Sequence, residues 1–364
     1  MVASELEVVR STEVVTAAPV RTGSRAAGLV RGGLLLAAGI AVVYIGLVPM
    51  GHVTGIIKVP VVLAGIALTY MGVDGLAKAW WGPQVETAFW VSVFWLVALI
   101  LAAIFADFLP LGEAVDTTKT ITIPGNTPPD LFSAHPLGTN NFSLDLLARS
   151  IYAARVSLLT AGLAVVLSML IGVPIGMYAG YYRGRLDRIV SVFNDSFLAF
   201  PALIVLIALA SVLGVPTSVP EAIIKEGVAL ALIGIPTMIR LARANTLVFA
   251  QREFVVASRA MGARDRRILS REILPNVLLP LVSLALIIIA VLIVAEGSLA
   301  FLGLGLQPPQ PSWGNMIAEG TITVVQDYPF IPLVPGVFMF LTVFSFNRIG
   351  ERARQRWDPR QAKI

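Results

Sequence analysis

The stretch EFVVASRAMGARDRRILSREILPN, residues 253–276, separates two long apolar runs of the chain. It contains five arginines, and Arg252 stands immediately before it. Lysine and arginine are concentrated in the cytoplasmic loops of membrane proteins. The stretch is therefore predicted to be a cytoplasmic loop between two membrane spans.

This loop divides into two short helix-forming runs, residues 254–261 and residues 263–274. Gly262 stands between them. A glycine at such a place is commonly the left-handed residue that ends a helix, where a side chain would cost about 1 kcal/mol or more. Pro275 is predicted to end the second run. An ordinary interhelical turn is the alternative interpretation.

The composition excludes a soluble domain. The chain has 364 residues, of which 57% are hydrophobic and 13% charged, and its mean hydropathy is +0.83. One span needs about 20 mainly apolar residues. The sequence therefore predicts an all-α polytopic membrane protein. Eight apolar runs are candidate spans: residues 31–49, 57–75, 87–109, 151–179, 189–213, 223–247, 276–303 and 329–347.

Several kinds of chemistry have no support in the sequence. Cysteine is absent, and the two histidines lie far apart, so no metal site is expected. No lysine follows a glycine, which excludes a phosphate-binding P-loop, and the chain is not expected to be an enzyme. The net charge of +5 is interpreted as topology signal and contact with anionic lipid, not as nucleic-acid binding.

The basic residues also predict the orientation. All but five of the 27 lysines and arginines lie in segments that an eight-span chain places on one side. Both termini are therefore predicted to be cytoplasmic, with tails at residues 1–30 and 348–364. A signal peptide is the alternative for the first apolar run, but a retained span is preferred.

Four segments resemble the permease subunits of binding-protein-dependent ABC importers. The cytoplasmic loop follows the spacing of that family's coupling loop, with Val256-Ala257-Ser258 first, then Gly262 and then Leu274-Pro275. Two residues depart from the family pattern: Val256 replaces a glutamate and Ser258 replaces an alanine. The dipeptide and oligopeptide branch is resembled by three stretches: HPLGT (135–139), IYAARVSL (151–158) and FLGLGLQPPQPSWGNMI (301–317). The resemblance covers about residues 134–350.

The resemblance implies a six-helix type I permease core preceded by two extra N-terminal transmembrane helices, residues 31–75. Residues 87–109 would be the first core helix, and residues 151–347 would form the rest of the core, with the coupling loop at 250–275. Residues 110–148 would be an extracytoplasmic lobe where a binding protein docks; an ordinary connecting loop is the alternative. The extra helices are interpreted as a lipid-facing appendage, with a regulatory role as the alternative.

The same resemblance implies partners. These are a homologous permease subunit, an extracytoplasmic substrate-binding protein and two ABC ATPases that hold ATP and Mg²⁺, with no cofactor bound by this chain. The expected location is the cytoplasmic membrane of a prokaryote. The residues assigned to contact with the ATPases are Glu253, Val256, Ala257, Ser258, Ala260, Met261, Gly262, Ala263, Arg264, Asp265, Leu274 and Pro275.

The expected cargo is a di- or oligopeptide. Nickel chelates, haem or another small solute are alternatives within the same class. A secondary transporter or channel is the second alternative, and that class normally shows several intramembrane ionisable groups and inverted repeats.

Three polar residues inside predicted spans are candidates for the pathway or for structural pairing. Asn194 and Asp195 open the fifth span, and Asp195 is expected to pair with an arginine such as Arg188 near the inner interface. Glu296 lies in the outer third of the membrane, where exposure to lipid would cost about 3 kcal/mol. It is therefore expected to be sheltered, and both roles stay open for it.

The outer segments carry two further expectations. Alternating threonine and isoleucine in TTKTITIPGNT, residues 117–127, predict a short strand, with turns around Gly125 and Asn126. Trp313 is expected to anchor at the outer membrane interface.

Overall fold

The computed structural model describes residues 25–47, 55–82, 84–320 and 322–357. Over these residues the chain forms helices and no strand. Seven helices are long and apolar enough to cross a membrane, and a bent pair makes up to an eighth span. The α-helices are α1 Arg25–Leu47, α2 Gly55–Trp81, α3 Thr87–Ile104, α4 Leu146–Tyr182, α5 Gly184–Leu198, α6 Ala202–Leu213, α7 Val219–Phe249, α8 Glu253–Ala260, α9 Asp265–Arg267, α10 Leu274–Phe301, α11 Trp313–Ala318, α12 Ile322–Asp327 and α13 Phe330–Trp357.

The first and last described helices extend into the segments predicted to be tails. Helix α1 begins at Arg25, inside the predicted tail of residues 1–30, and α13 continues to Trp357, inside the predicted tail of residues 348–364. Both helices extend past their apolar stretch because basic residues at a helix end can remain in water. Residues 1–24 and 358–364 lie outside the described residues.

Helices α1 and α2 form a hairpin that packs mainly on itself. Glycines allow this close approach: a Cβ added at Gly65 would lie 2.7 Å from the Val43 nitrogen, and one at Gly32 would lie 2.8 Å from the Leu76 nitrogen. Small residues are typical of helix contacts in lipid, because backbones must come close for dispersion forces to act. The hairpin contacts the rest of the chain through α3 and α12.

The core is organised around the pair α4 and α7, which pack along their length. Three glycines four residues apart face α7. A Cβ would meet the Met238 Cβ at 2.7 Å if added at Gly172, and the Arg243 oxygen at 2.8 Å if added at Gly180. At the middle position, Gly176, it would lie 2.8 Å from the Ala242 Cβ. Helices α10 and α13 complete the bundle, with α3 packed on α13.

The predicted fifth span, residues 189–213, is not one straight helix. Helices α5 and α6 meet at 86° across a break of a few residues. The break falls at Phe200-Pro201, because the residue before a proline is disfavoured in the helical region and proline has no N–H to donate. Helix α5 is amphipathic, and its Asp187 pairs with Arg243 of α7.

Pro275 does not end the second half of the loop, contrary to the prediction. Helix α9, a π-helical segment Ile268–Ile273 and α10 run on continuously, so Asp265–Phe301 forms one span of 37 residues. Pro275 is the second residue of α10 and follows the π-helical segment, where the regular i to i−4 hydrogen bonding is already interrupted.

The external segment between α3 and α4 lacks the predicted strand. Thr117–Thr120 is a 3-10 helix whose first turn is capped by the Asp116 side chain, which accepts a hydrogen bond from the Thr118 N–H. Ile121 is 81% exposed, so the alternation of threonine and isoleucine does not mark a buried face. The turn at Gly125 and Asn126 is confirmed, with Asn126 at a φ of +56°.

The position predicted for Trp313 at the membrane interface is wrong. Trp313 is fully buried, and its indole N–H donates to the Ser150 carbonyl at 3.0 Å. A buried indole needs such a partner, and the start of α4 supplies it. Ser312 and Asn315 form a capping box at the start of α11, which fixes the tryptophan in place.

Replacing Gly176 with valine is expected to lower the free energy of unfolding by about 1–3 kcal/mol, because the added atoms meet α7 and the two backbones must separate. The midpoint of thermal unfolding in detergent measures this. Gly162 of the same helix is the matched control, since a Cβ there meets nothing within 4 Å. If Gly162→Val and Gly176→Val lowered the midpoint of thermal unfolding equally, the close approach of α4 and α7 would not be the cause of the loss.

Candidate functional site: the cytoplasmic loop and the buried charges

The loop at residues 250–275, predicted to be cytoplasmic and called the cytoplasmic loop below, has the turn that Gly262 predicts. Gly262 adopts a φ of +81°. Its N–H donates to the Arg259 carbonyl at 3.0 Å, and the next N–H, of Ala263, donates to the Ser258 carbonyl at 3.0 Å. These bonds satisfy the last carbonyls of α8, as in a Schellman motif. The space around the glycine is open, so a side chain there would be opposed by backbone conformation and not by a clash.

The first helix of the loop, α8, presents a small apolar surface to solvent. Met261 is 80% exposed, Val256 is 56% exposed and Phe254 is 38% exposed. Ala257 and Ala260 lie exposed between them. Apolar side chains grouped on an otherwise charged cytoplasmic loop are typical of a protein contact surface.

The other loop residues that were predicted to contact the ATPases differ in exposure. Glu253, Arg264, Asp265 and Pro275 are exposed, whereas Ser258, Ala263 and Leu274 are half-buried. Ala263 and Leu274 pack against the apolar cluster beneath the loop. They therefore hold the loop and do not form its outer face.

An apolar cluster attaches the loop to the bundle. Val255 of α8 and Ile268 of the π-helical segment are fully buried in it. Val173 and Met177 of α4 and Phe249 of α7 complete the contact. The loop is thus seated on the inner ends of the two helices that form the core pair.

The two polar residues at the start of the predicted fifth span have different surroundings. Asn194 is buried, and Asp195 is exposed. Asp195 pairs with Arg240 of α7, Oδ1 to the guanidinium nitrogen at 2.9 Å, and not with Arg188. Arg188 lies seven residues earlier on the same helix, about 10 Å along its axis, which is too far for a direct pair.

Glu296 is sheltered, as predicted. It is 1% exposed, and its Oε2 accepts a hydrogen bond from the Ser157 hydroxyl at 2.8 Å. Ser157 lies on α4, so this bond joins α4 to α10. A polar side chain in hydrocarbon needs such a partner.

A second buried carboxylate, Glu226 of α7, was not among the candidates. It is 3% exposed and lies close enough to Glu296 for the two charges to interact. No described basic side chain pairs with either residue. One signal was available: each is followed by a glycine, Gly227 and Gly297, and each glycine packs closely on a neighbouring helix. A Glu-Gly pair within an apolar run therefore marks a glutamate that is drawn into the bundle.

A third polar group, at the outer end of α4, holds the external segment. Arg149 is fully buried, and its Nη2 donates to Glu319 Oε1 at 2.6 Å. Its Nη1 donates to the carbonyls of Pro309, at 3.1 Å, and Ala114, at 3.3 Å. Asn140 donates to the other Glu319 oxygen at 2.9 Å. Glu319 was not a candidate, because the sequence gives no sign that a residue 170 positions away meets Arg149.

Two neighbouring contacts complete this outer anchor. Asp145 caps α4 by accepting from the Ala148 N–H at 2.7 Å, and it bonds the His135 ring at 2.9 Å. The Asp107 carboxyl accepts hydrogen bonds from Arg155 and Tyr152. These bonds hold the pKa of Asp107 below its ordinary value, the Arg155 bond contributing most.

Comparison with known proteins agrees with this architecture. The family described as "Binding-protein-dependent transport system inner membrane component" matches residues 172–363. The glutathione transport system permease protein GsiD of Pectobacterium atrosepticum is 37% identical over 228 residues, 63% of this chain and 73% of the relative. The dipeptide transport system permease protein DppC of Alkalihalophilus pseudofirmus is 33% identical over 270 residues, 74% of this chain and 85% of the relative.

Two further similarities were found. A putative peptide transport system permease protein of Brucella suis is 36% identical over 273 residues, covering 75% of this chain and 88% of the relative. Among solved structures, a chain of the MetNI methionine ABC transporter in inward-facing conformations superimposes with a TM-score of 0.49 and 18% identity, over 58% of this chain and 97% of that chain.

The fold and the loop define a membrane-embedded permease. The chain belongs to the family of binding-protein-dependent transport system inner membrane components.

Glu319→Ala is expected to lower the free energy of unfolding by about 3–5 kcal/mol, because it leaves the buried Arg149 guanidinium without its counter-charge. Thermal unfolding of the purified chain measures the loss. The control is Glu351→Ala, which breaks an exposed pair with Arg354 and is expected to cost at most about 0.5 kcal/mol. Similar losses in the two variants would mean that the outer anchor is no stronger than a surface pair.

Proposed function

We propose that this chain is the transmembrane subunit of an ATP-driven importer for di- or oligopeptides, and that it forms half of the translocation pathway. The observation that carries this is the cytoplasmic loop: an exposed apolar helix, a left-handed glycine and an apolar seat on α4 and α7. Such a loop offers a rigid contact surface at the inner ends of the core helices. A second permease subunit would complete the pathway.

The cargo is inferred from the relatives. Those reported above are described as permeases for glutathione, dipeptides or peptides. Short peptides are the class that these names share. No described feature of the chain favours nickel chelates, haem or another solute over them.

The energy source is inferred to be a pair of ATPase subunits beneath the loop. None of the five lysines of this chain follows a glycine, so it carries no P-loop of its own. Reversing a 1:99 population of outward and inward states takes about 5.5 kcal/mol of differential binding. The ATPases would supply that bias through Val256, Ala257 and Met261, which are exposed for contact.

The outer segment is proposed to receive the substrate-binding protein. The Arg149–Glu319 pair supports this, because Asn140 and the Ala114 carbonyl bond to it and so connect the external segment to α4 and α11. Phe132 and Ile121 are 95% and 81% exposed on that segment. A rigid base with exposed apolar side chains suits a docking partner better than a loose connection would.

Glu226 and Glu296 are proposed to have a structural role in the bundle. Both are buried between helices, and Glu296 is bonded to α4 through Ser157. Two buried carboxylates also suit a secondary transporter, which is the alternative class. Membership of the permease family favours the ATP-driven importer.

Both termini are proposed to be cytoplasmic. In intact cells, an impermeant thiol reagent is expected to leave cysteines at Thr12 or Ala362 unmodified, since the native chain has no cysteine to interfere. A cysteine at Phe132, 95% exposed on the external segment, is the positive control and should be modified. Modification of the terminal cysteines would contradict the proposed orientation, and their modification while Phe132→Cys stays unmodified would reverse it.

Gly262→Val is expected to weaken co-purification of the ATPase subunits about tenfold, because a side chain in the left-handed conformation costs about 1–2 kcal/mol and displaces α8. Gly184 is the matched control: it has a φ of +67°, open space around it and a place at another turn, as the first residue of α5. Gly184→Val should lose similar stability and keep the ATPases. If Gly262→Val retains them and transports normally, the loop is not the coupling site.

A further inference from the structure

One side chain at the end of α4 is hydrogen-bonded to both halves of the cytoplasmic loop. Tyr181 lies at the inner end of α4, and its hydroxyl donates to Asp265 Oδ1 at 2.7 Å. The same hydroxyl accepts a hydrogen bond from Arg259 Nη2 at 3.1 Å. Arg259 precedes Gly262 in the chain, and Asp265 follows it. One oxygen atom therefore holds both sides of the left-handed turn.

We propose that Tyr181 is the positioning residue that transmits displacement of the cytoplasmic loop to α4. This inference rests on the proposed function and deepens it, because it identifies the contact by which movement of the ATPases reaches the transmembrane bundle. Tyr181 itself need not touch an ATPase. It acts through Arg259 and Asp265, which flank the exposed surface of the loop.

The hydroxyl provides a directional contact that the apolar seat of the loop does not. Val255 and Ile268 attach the loop by burial, which is non-directional and permits small sliding movements. Hydrogen bonds from a hydroxyl to ionised side chains depend strongly on angle and are the stronger kind. The Tyr181 ring packs against the same apolar cluster, and the Arg259 guanidinium lies over the ring at 5.6 Å. The ring therefore holds the hydroxyl in position between its two partners.

Helix α4 is the element best placed to carry that movement outward. It is continuous from Leu146 to Tyr182 and packs along α7 through its glycines. Ser157 connects it to Glu296 of α10, and Arg149 connects its outer end to Glu319. A shift at the Tyr181 end is thus applied to α7, α10 and the external segment through one continuous helix.

The test is Tyr181→Phe in the complete transporter, purified with its ATPase subunits and reconstituted in liposomes. The measured quantity is the rate of ATP hydrolysis with the substrate-binding protein divided by the rate without it. This ratio is expected to fall about tenfold, because the loss of a hydrogen bond to a charged group changes an equilibrium constant by about tenfold or more. The ATPase subunits should stay bound in the same ratio, since the exposed face of α8 is unchanged.

Tyr182→Phe is the matched control. Tyr182 is the next residue, its side chain is 49% exposed, and its ring stacks on Tyr178 with no hydrogen bond from its hydroxyl among the described residues. This variant is expected to keep the wild-type ratio. A merely structural loss of one hydroxyl would lower thermal stability without lowering the stimulation ratio.

A double-mutant comparison identifies the partner. Asp265→Ala alone, which leaves no acceptor for the hydroxyl, should lower the ratio, and adding it to Tyr181→Phe should lower the ratio little further, because both remove the same bond. Full additivity, or a wild-type ratio in Tyr181→Phe, would overturn the inference.

If Gly262→Val uncouples the transporter while Tyr181→Phe does not, the inference fails and the proposed function stands. If the wild-type chain binds no ATPase, the proposed function fails first.

Discussion

The close contact between α4 and α7 is the constraint on which the rest of the structure depends. In hydrocarbon the lipid tails are as apolar as the side chains, so helices associate only where their surfaces approach closely or exchange hydrogen bonds. Gly172, Gly176 and Gly180 provide the close surface. Once these two helices are joined, their inner ends form the seat of the cytoplasmic loop, and their outer halves bring Ser157 and Glu226 towards α10.

The polar contacts of the bundle differ in burial. The pair of Asp195 with Arg240 is exposed, where it contributes little to stability. Towards the outer side, Arg149 with Glu319 and Ser157 with Glu296 are buried, and breaking either would leave an unsatisfied polar group. Breaking Arg149–Glu319 or Ser157–Glu296 is therefore expected to cost more stability than breaking Asp195–Arg240.

The sequence predicted the helical spans, the loop and the left-handed Gly262 because each depends on local composition. Apolar length and arginine clustering need no knowledge of neighbouring helices, and neither does a glycine between two helical runs. Two of the failures involve contacts distant in sequence. Trp313 was expected at the membrane interface, because the sequence does not show that α4 supplies the Ser150 carbonyl as its partner. Glu226 was not a candidate, because the sequence does not show that Glu296 of α10 lies near it. Pro275 was expected to stop a helix because nothing local showed that a π turn precedes it.

The length of the helix that leads away from the loop has a geometric consequence. The span Asp265–Phe301 has 37 residues, which at about 1.5 Å per residue corresponds to about 55 Å. A bilayer is about 40–45 Å thick with its headgroups, and its hydrocarbon core is about 30 Å thick. At a modest tilt the helix is longer than the bilayer is thick, so at least one of its ends stands beyond the headgroups. If that end is the one at Asp265, the exposed face of α8 is accessible to a soluble protein without contact with lipid.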